Sequence, residues 1–195
     1  MIISCLGDSL TEGDYGIKGV SCMANVHKEG YPYFLARLMD CEVRNFGKCG
    51  YRSSDLLKFY DEGNINVSGS DIVLIMLGTN GGQSASEDTP DNICYRELIL
   101  RVKRDAPKAK IYLITAPHVT SNPAYSNCGY AQQVKEAVEF TRKTALETGL
   151  ALIDLASDPR LTEGMEPYFQ SNDGLHFNAL GYQKIAERIW FELTK

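Results

Sequence analysis

The sequence lacks the features that mark a nucleic-acid or membrane protein. Lysine and arginine number 20 against 25 acidic residues, giving a net charge of -5, and they form no basic stripe or cluster. Nucleic acids and anionic membrane surfaces need such a cluster, so we exclude both and expect a small-molecule partner. The longest apolar runs, such as 72–77, fall far short of the roughly 18 residues that span a bilayer. We therefore predict no membrane span.

Two further absences bear on the compartment and on metals. The start of the chain has neither the basic residues nor the long apolar core of a secretory signal, so we expect a cytoplasmic protein. No two cysteines form a C-x-x-C pair, and buried reduced thiols are favoured over a disulfide framework or a zinc site. We predict no metal and no cofactor. The cysteines are Cys5, Cys22, Cys41, Cys49, Cys94 and Cys128.

What is present is a regular series of short apolar runs. The chain has 195 residues, 44% of them hydrophobic, and we predict one domain over 1–195. The runs are rich in Ile, Val and Leu, and their nearly continuous apolarity is typical of strands covered on both faces. We predict five strands, at 2–7, 42–47, 71–78, 110–116 and 150–155.

Helical patterns separate these runs. The first opens at Pro32, the second is capped by Ser53 or Ser54, and Thr89 with Pro90 begins the third. A fourth runs from about Tyr130 to Thr148. The fifth starts at Asn178 and places four apolar residues on one side: Leu180, Ile185, Ile189 and Leu193.

The alternation of strands and helices predicts an α/β fold. Right-handed crossovers convert it into three α/β/α layers around a five-stranded, parallel, doubly wound sheet. Ligands bind such sheets beyond the carboxyl ends of the strands. Polar residues stand at those ends: Ser9 after the first strand, Gly47 and Gly50 after the second, and Asn80 after the third.

An aspartate and a histidine, Asp173 and His176, lie just before the last predicted helix, in the segment NDGLHFN. This set of residues suits acyl transfer. A serine hydroxyl needs a base to take its proton, a histidine can be that base near neutral pH, and an aspartate can hold the ring. Glycine and asparagine supply N–H donors for the oxyanion that forms.

The motifs resemble those of the SGNH, or GDSL, hydrolases, which share the flavodoxin-like three-layer fold. Four blocks carry the resemblance, in the family's order and over nearly the whole chain. They are GDSLTEG at 7–13, NFGKCG at 45–50, GTN at 78–80 and DGLHFNALGYQKIA at 173–186.

The resemblance implies a role for each matching residue. Ser9 would be the nucleophile, His176 the base and Asp173 the residue that orients it. The oxyanion hole would consist of the backbone N–H groups of Ser9 and Gly50 and the side chain of Asn80. The substrate would be a small-molecule ester.

The chain departs from the family pattern after Asn80, where Gly81 and Gly82 stand and an aspartate is common. These glycines predict a more mobile loop. Asp8 adjoins Ser9, but neighbours leaving a strand tend to point to opposite sides. We therefore interpret Asp8 as a structural hydrogen-bond acceptor.

Other polar and aromatic residues near the ligand edge are candidates for substrate contact. His118 follows the fourth strand and is such a candidate, although a solvated loop histidine is the alternative; His27 lies in a polar loop and is expected to be exposed. Aromatic side chains flanked by polar residues suit stacking on a sugar or holding a short acyl chain. Those in the loops are Tyr15, Tyr125, Tyr168 and Phe169.

These observations predict a serine esterase acting on short acyl groups, such as O-acetyl on a carbohydrate or similar alcohol. A lysophospholipase or thioesterase of the same family is one alternative. A flavodoxin-like binding domain without catalysis is another, because fold does not fix function. An α/β-hydrolase is disfavoured, since Thr11 stands where the second glycine of G-x-S-x-G belongs.

Overall fold

A computed structural model describes residues 1–17, 29–161, 168 and 173–195. The strands in these ranges are β1 (Ile2–Gly7), β2 (Glu42–Gly47), β3 (Ile72–Met76), β4 (Lys110–Ile114) and β5 (Ala151–Ile153). They form one parallel sheet in the order β2-β1-β3-β4-β5. Each strand lies inside the run that predicts it, so the prediction of a five-stranded parallel sheet is confirmed.

Helices follow the strands as the alternation predicts. They are α1 (Ser9–Glu12), α2 (Tyr31–Met39), α3 (Ser53–Asp61), α4 (Pro90–Asp105), α5 (Ala131–Thr148) and α6 (Ala179–Leu193). Several ends match the sequence signals. The Thr89 side chain accepts the N–H of Asn92 at the start of α4, and the Asn178 side chain accepts that of Gly181 at the start of α6.

The sheet has a separate apolar cluster on each face. One cluster joins Ile3, Leu74 and Met76 of the sheet to α2 and α6, through residues such as Leu35 and Ile185. The other joins side chains of the opposite pleat, including Val73 and Ile75, to α3 and α4, through residues such as Leu56, Leu98 and Val102. Because alternate strand residues face opposite sides, continuous apolar strands need both layers. The three-layer prediction is confirmed.

Two details of the helices differ from prediction. The N-cap of α3 is Arg52, not a serine. Its backbone N–H is accepted by Asp55 at 3.0 Å, while the hydroxyl of Ser53 instead accepts a hydrogen bond from Gln83 at 2.8 Å. In α6, Leu180 is 48% exposed. Leu180 and Ile185 are five positions apart, which is well over one helical turn, so they lie on different faces of α6. The fully buried Tyr182 lies on the face of Ile185 instead.

The cysteines follow the prediction of reduced thiols in part. Cys5, Cys41, Cys94 and Cys128 are free, and Cys5 is fully buried. The prediction is wrong at Cys49, which is disulfide-bonded. Cys22, His27 and Phe169 lie outside the described residues. In the described ranges, no helix has the length and apolarity needed to cross a membrane.

Candidate active site

The candidate site lies where β1 ends between its two neighbours. Gly7, the last residue of β1, pairs with Gly47 of β2 and with Met76 of β3. The loops after these three strands therefore leave the sheet side by side. This is also the point where the strand order reverses, the place at which parallel α/β sheets bind ligands.

Gly7 lets α1 begin directly on the sheet edge. A Cβ at this position would lie 2.1 Å from Oγ1 of Thr11 and 2.4 Å from the carbonyl oxygen of Met76. Only glycine fits such a close approach. The chain can then turn at Asp8 and start a helix at Ser9, which presents the serine above the end of β1.

Asp8 stabilises this turn. It is the N-cap of α1, and its carboxylate accepts the N–H of Leu10 at 3.0 Å. The interpretation of Asp8 as a structural acceptor is confirmed. The side chain is fully buried, and burial raises the pKa of Asp8 to about 6, although the hydrogen bond from Leu10 opposes the rise.

Ser9, His176 and Asp173 form a continuous chain of polar contacts. The hydroxyl oxygen of Ser9 lies 2.9 Å from Nε2 of His176, and Nδ1 of the same ring lies 3.2 Å from both oxygens of Asp173. Ser9 and Asp173 are buried, with 3% and 8% exposure. A proton on Nδ1 donates to Asp173, which leaves Nε2 to accept the serine hydroxyl.

The carboxylate of Asp173 is fixed from several sides. It accepts the backbone N–H groups of Leu175, at 2.9 Å, and of His176, and the side-chain amide of Asn127 at 2.7 Å. Asn127 comes from the loop after β4, so this loop supports the turn that precedes α6. These hydrogen bonds hold the carboxylate against Nδ1 of the histidine.

A second carboxylate approaches the other nitrogen of the ring. Oδ2 of Asp14 lies 3.8 Å from Nε2 of His176, and Asp14 is 3% exposed. Burial lowers the pKa of His176, but the hydrogen bond and charge of Asp173 and the charges of Asp14 and Asp8 outweigh it, so the net shift is upward.

N–H donors face the same edge. Among described residues, nothing accepts the backbone N–H of Ser9 or of Gly50. The side-chain nitrogen of Asn80 donates to the carbonyl of Tyr51 at 3.0 Å. An amide nitrogen carries two hydrogens, so one remains for a ligand. The hydrogen bond to Tyr51 anchors Asn80 despite the two glycines that follow it.

A cavity of about 410 Å³ opens beside Gly50 and Asn80. Its lining is mainly polar. The remaining lining residues are Arg52, Ser126, Gly129, Tyr130 and Gln133. Within the described ranges, no group of three His, Cys, Asp or Glu side chains is arranged to hold a metal ion.

The predicted substrate-contact residues lie at different places. His118 lines a separate cavity of about 170 Å³ between the loop after β4 and α5, so the structure does not bring it to Gly50 and Asn80. Tyr15 packs on Tyr182, with ring centroids 5.7 Å apart. Tyr125 packs over Gly174, next to Asp173, and Tyr168 packs against the apolar core.

Sequence reasoning missed Asp14, Asn127, Arg52 and Gln133. Asp14 has the plainest signal, because it is an acidic residue close to Ser9 in the chain. Nothing in the sequence distinguishes it from a solvated loop acid, however. Arg52 lies just beyond the NFGKCG block, which does not include it. Asn127 and Gln133 reach the site through tertiary packing of segments far apart in sequence, for which one sequence carries no signal.

The carboxyl edge of the parallel sheet thus carries a hydroxyl, an imidazole and a carboxylate in contact, the set of groups that acyl transfer to serine requires. A sequence model of the GDSL-like Lipase/Acylhydrolase family matches residues 5–184. The chain belongs to this family, which confirms the family resemblance and the prediction of an ester-bond hydrolase.

Individual relatives are more distant. An isoamyl acetate-hydrolyzing esterase of Schizosaccharomyces pombe is 23% identical over 99% of this chain and 75% of its own length. An N-acylneuraminate cytidylyltransferase of Escherichia coli is 25% identical over 80% of this chain, but the match spans only 36% of that enzyme. A carbohydrate acetylesterase from Sinorhizobium meliloti superimposes with a TM-score of 0.77, covering 99% of this chain and 98% of that one at 18% identity. This last likeness establishes the fold.

Proposed function

We propose that the chain is a serine esterase in which Ser9 is the nucleophile, His176 the general base and Asp173 the residue that orients the histidine. The observation that carries the proposal is the unbroken contact from the Ser9 hydroxyl through His176 to Asp173, at 2.9 and 3.2 Å. These distances suit proton transfer from serine to imidazole.

The first half of the reaction forms an acyl-enzyme. Nε2 of His176 takes the Ser9 proton as Oγ attacks the ester carbonyl carbon, and the carbonyl π electrons move to oxygen. The resulting oxyanion accepts hydrogen bonds from the N–H groups of Ser9 and Gly50 and from the Asn80 amide. Collapse of this intermediate breaks the bond to the alcohol, which leaves with the proton from Nε2.

The second half releases the acid. Water enters where the alcohol left, gives a proton to Nε2 of His176 and attacks the acyl carbon. The oxyanion forms again at the same donors. Its collapse breaks the bond to Oγ of Ser9, which recovers the proton from Nε2, and the free carboxylic acid departs. Asp173 stabilises the imidazolium in both halves and keeps its own charge.

For the substrate we propose short acyl groups, such as O-acetyl, on a carbohydrate or similar alcohol. The polar lining of the cavity beside Gly50 and Asn80 supports this choice, because long fatty chains need an extended apolar channel. The names of two relatives agree with it, one acting on isoamyl acetate and one being a carbohydrate acetylesterase. A third is named for N-acylneuraminate, a sugar.

The catalytic roles are tested with purified variants. Ser9→Ala and His176→Ala should abolish hydrolysis of p-nitrophenyl acetate, and Asn80→Ala should lower kcat about 10²- to 10³-fold through loss of one oxyanion donor. A fluorophosphonate probe should label the wild type at Ser9 and leave Ser9→Ala unlabelled. Undiminished hydrolysis by Ser9→Ala would overturn the proposal, and an unlabelled, inactive wild type would favour a binding domain.

The substrate class is tested with a panel. We expect p-nitrophenyl acetate to turn over faster than the octanoate and palmitate, and acetylated sugars to release acetate. Ser9→Ala serves as the control for spontaneous hydrolysis. Faster turnover of the long chains, or of lysophospholipids or acyl thioesters, would overturn the preference for short O-acyl groups and leave the catalytic roles unchanged.

A further inference from the structure

The cavity beside the oxyanion donors contains a cation. Arg52 lines it together with Gly50 and Asn80, and lies only two residues beyond Gly50 in the chain. Its Nε donates to the backbone carbonyl of Asn80 at 3.1 Å. The guanidinium is thus connected to both segments that carry the candidate oxyanion donors, and this hydrogen bond holds it beside them.

This arginine makes no ion pair with any carboxylate of the described residues. The chain has an excess of acids, 25 against 20 bases, and most of its arginines do pair with them. The paired arginines are Arg44, Arg96, Arg101, Arg104, Arg142, Arg160 and Arg188. Arg52 is tethered through Nε, so its two terminal nitrogens keep their donors for a ligand.

A neutral side chain, Gln133, lines the same cavity. Gln133 reaches from α5 toward Gly81, and a Cβ at Gly81 would lie 2.7 Å from its Oε1. The backbone of Gly81 also has a φ of 72°, a conformation that residues other than glycine rarely adopt. The glycine that departs from the family pattern therefore makes room for the Gln133 amide, whose hydrogens are not donated to any described group.

We propose that Arg52 and Gln133 form a subsite for a carboxylate group of the substrate. The planar guanidinium presents paired donors that match the two oxygens of a carboxylate, and the Gln133 amide adds a further donor. The inference rests on the proposed esterase function and extends it from esters in general to anionic esters. The carboxylate belongs to either half of the ester: an acidic sugar as the alcohol, or a dicarboxylic acid as the acyl group.

The test compares each anionic substrate with its neutral counterpart. One pair is O-acetyl glucuronate and its methyl ester, which places the carboxylate in the alcohol. The other is p-nitrophenyl hemisuccinate and its methyl ester, which places it in the acyl group. We expect kcat/KM of the wild type to favour the anionic member of one pair about tenfold or more, and the preference to fall with added salt.

Variants of Arg52 test whether this residue causes the preference for anionic esters. Arg52→Met should bring the anionic-to-neutral ratio to about one, mainly through KM, and Arg52→Lys should retain part of it because the charge remains without the planar fork. The two kcat/KM values of each ratio are measured on the same variant. Any loss of activity caused by a displaced Asn80 therefore affects both values equally and cancels in the ratio. Arg37→Met is the matched control, because Arg37 is another exposed arginine without an ion pair among described residues, on α2. It should leave the ratio unchanged.

Binding provides a readout independent of catalysis. Calorimetry should show the preferred anionic ester binding to Ser9→Ala protein at least tenfold more tightly than to the Ser9→Ala/Arg52→Met double variant. A wild type without preference in both pairs, or an Arg52→Met protein that keeps the preference and the affinity, would overturn the subsite. Hydrolysis that survives Ser9→Ala would instead overturn the proposed function.

Discussion

Asp14 and Asp173 place carboxylates at opposite nitrogens of the His176 ring, Asp173 at 3.2 Å from Nδ1 and Asp14 at 3.8 Å from Nε2. Both carboxylates are buried, so water screens their charges weakly. Together they favour the imidazolium and raise the pKa of His176 although burial opposes it. Nε2 is also the atom in contact with Ser9, so the Asp14 carboxylate lies near the nitrogen that takes the serine proton in the proposed mechanism.

Asp14→Asn should shift the pH dependence of the reaction. Under the proposed mechanism His176 must be neutral to accept the serine proton, so kcat/KM rises with pH through the histidine pKa and then levels. Removing the Asp14 charge lowers the pKa of His176, and the rising limb should move to lower pH. The plateau should fall less than tenfold. The measurement is kcat/KM for p-nitrophenyl acetate between pH 5 and 9.

Asp173→Asn is the comparison for that experiment. Because Asp173 also holds the ring through Nδ1, its loss should lower the plateau itself, by about 10²- to 10⁴-fold. An Asp14→Asn profile that coincides with the wild type would show that the Asp14 charge does not reach the histidine.

Gly7→Ala should unfold or severely destabilise the protein. The added Cβ would lie 2.1 Å from the Thr11 hydroxyl oxygen and 2.4 Å from the Met76 carbonyl oxygen, and neither α1 nor β3 can move away without losing its packing. We expect a loss of about 3 kcal/mol or more in the free energy of unfolding, measured in urea. Gly129→Ala is the matched control, because nothing lies within 4 Å of its added Cβ. Equal stabilities of the two variants would contradict the close approach at Gly7.

The sheet could be predicted from sequence because every strand is covered on both faces. The runs at 2–7 and 42–47 match their strands to the residue, since glycine closes each one. The helix ends were harder to predict where a side chain can form a hydrogen bond either with the helix or with a distant segment. Ser53 looks like a cap, but its hydroxyl is used by Gln83 from a distant loop, and that contact has no local signal.

The same distinction holds at the candidate site. The placement of Ser9, Gly50, Asn80 and His176 at one edge of the sheet was predictable because each follows or precedes a regular element within a motif. The placement of the polar groups around them was not. Asp14 is buried beside His176, and Arg52 and Gln133 line one cavity whose walls come from three loops and α5.

Gly81→Ala tests whether the glycine makes room for Gln133. The substitution combines an unfavourable positive φ with a contact at 2.7 Å to Oε1 of Gln133. We expect a loss of about 1–2 kcal/mol from the backbone alone and more from the contact. In the Gly81→Ala/Gln133→Ala double variant the contact disappears, so the two effects should be non-additive by at least about 0.5 kcal/mol. Strict additivity of the unfolding free energies would mean that the two residues do not compete for space.

Asp8→Asn should change the stability of the protein in a pH-dependent manner. The pKa of Asp8 is about 6 in the folded protein against a usual value of 3.8, so the folded state binds the proton more tightly than the unfolded state. The contribution of Asp8 to stability is therefore largest below about pH 4 and is lost as the pH rises to about 6.

Asparagine keeps the acceptor for the Leu10 N–H and has no such titration. The wild type should thus lose about 2 kcal/mol relative to Asp8→Asn between pH 4 and pH 7, measured as the difference in unfolding free energy in urea. A difference in unfolding free energy that stays constant with pH would contradict the raised pKa of Asp8. It would show that hydrogen bonds in the turn before Ser9 stabilise the charged carboxylate despite its burial.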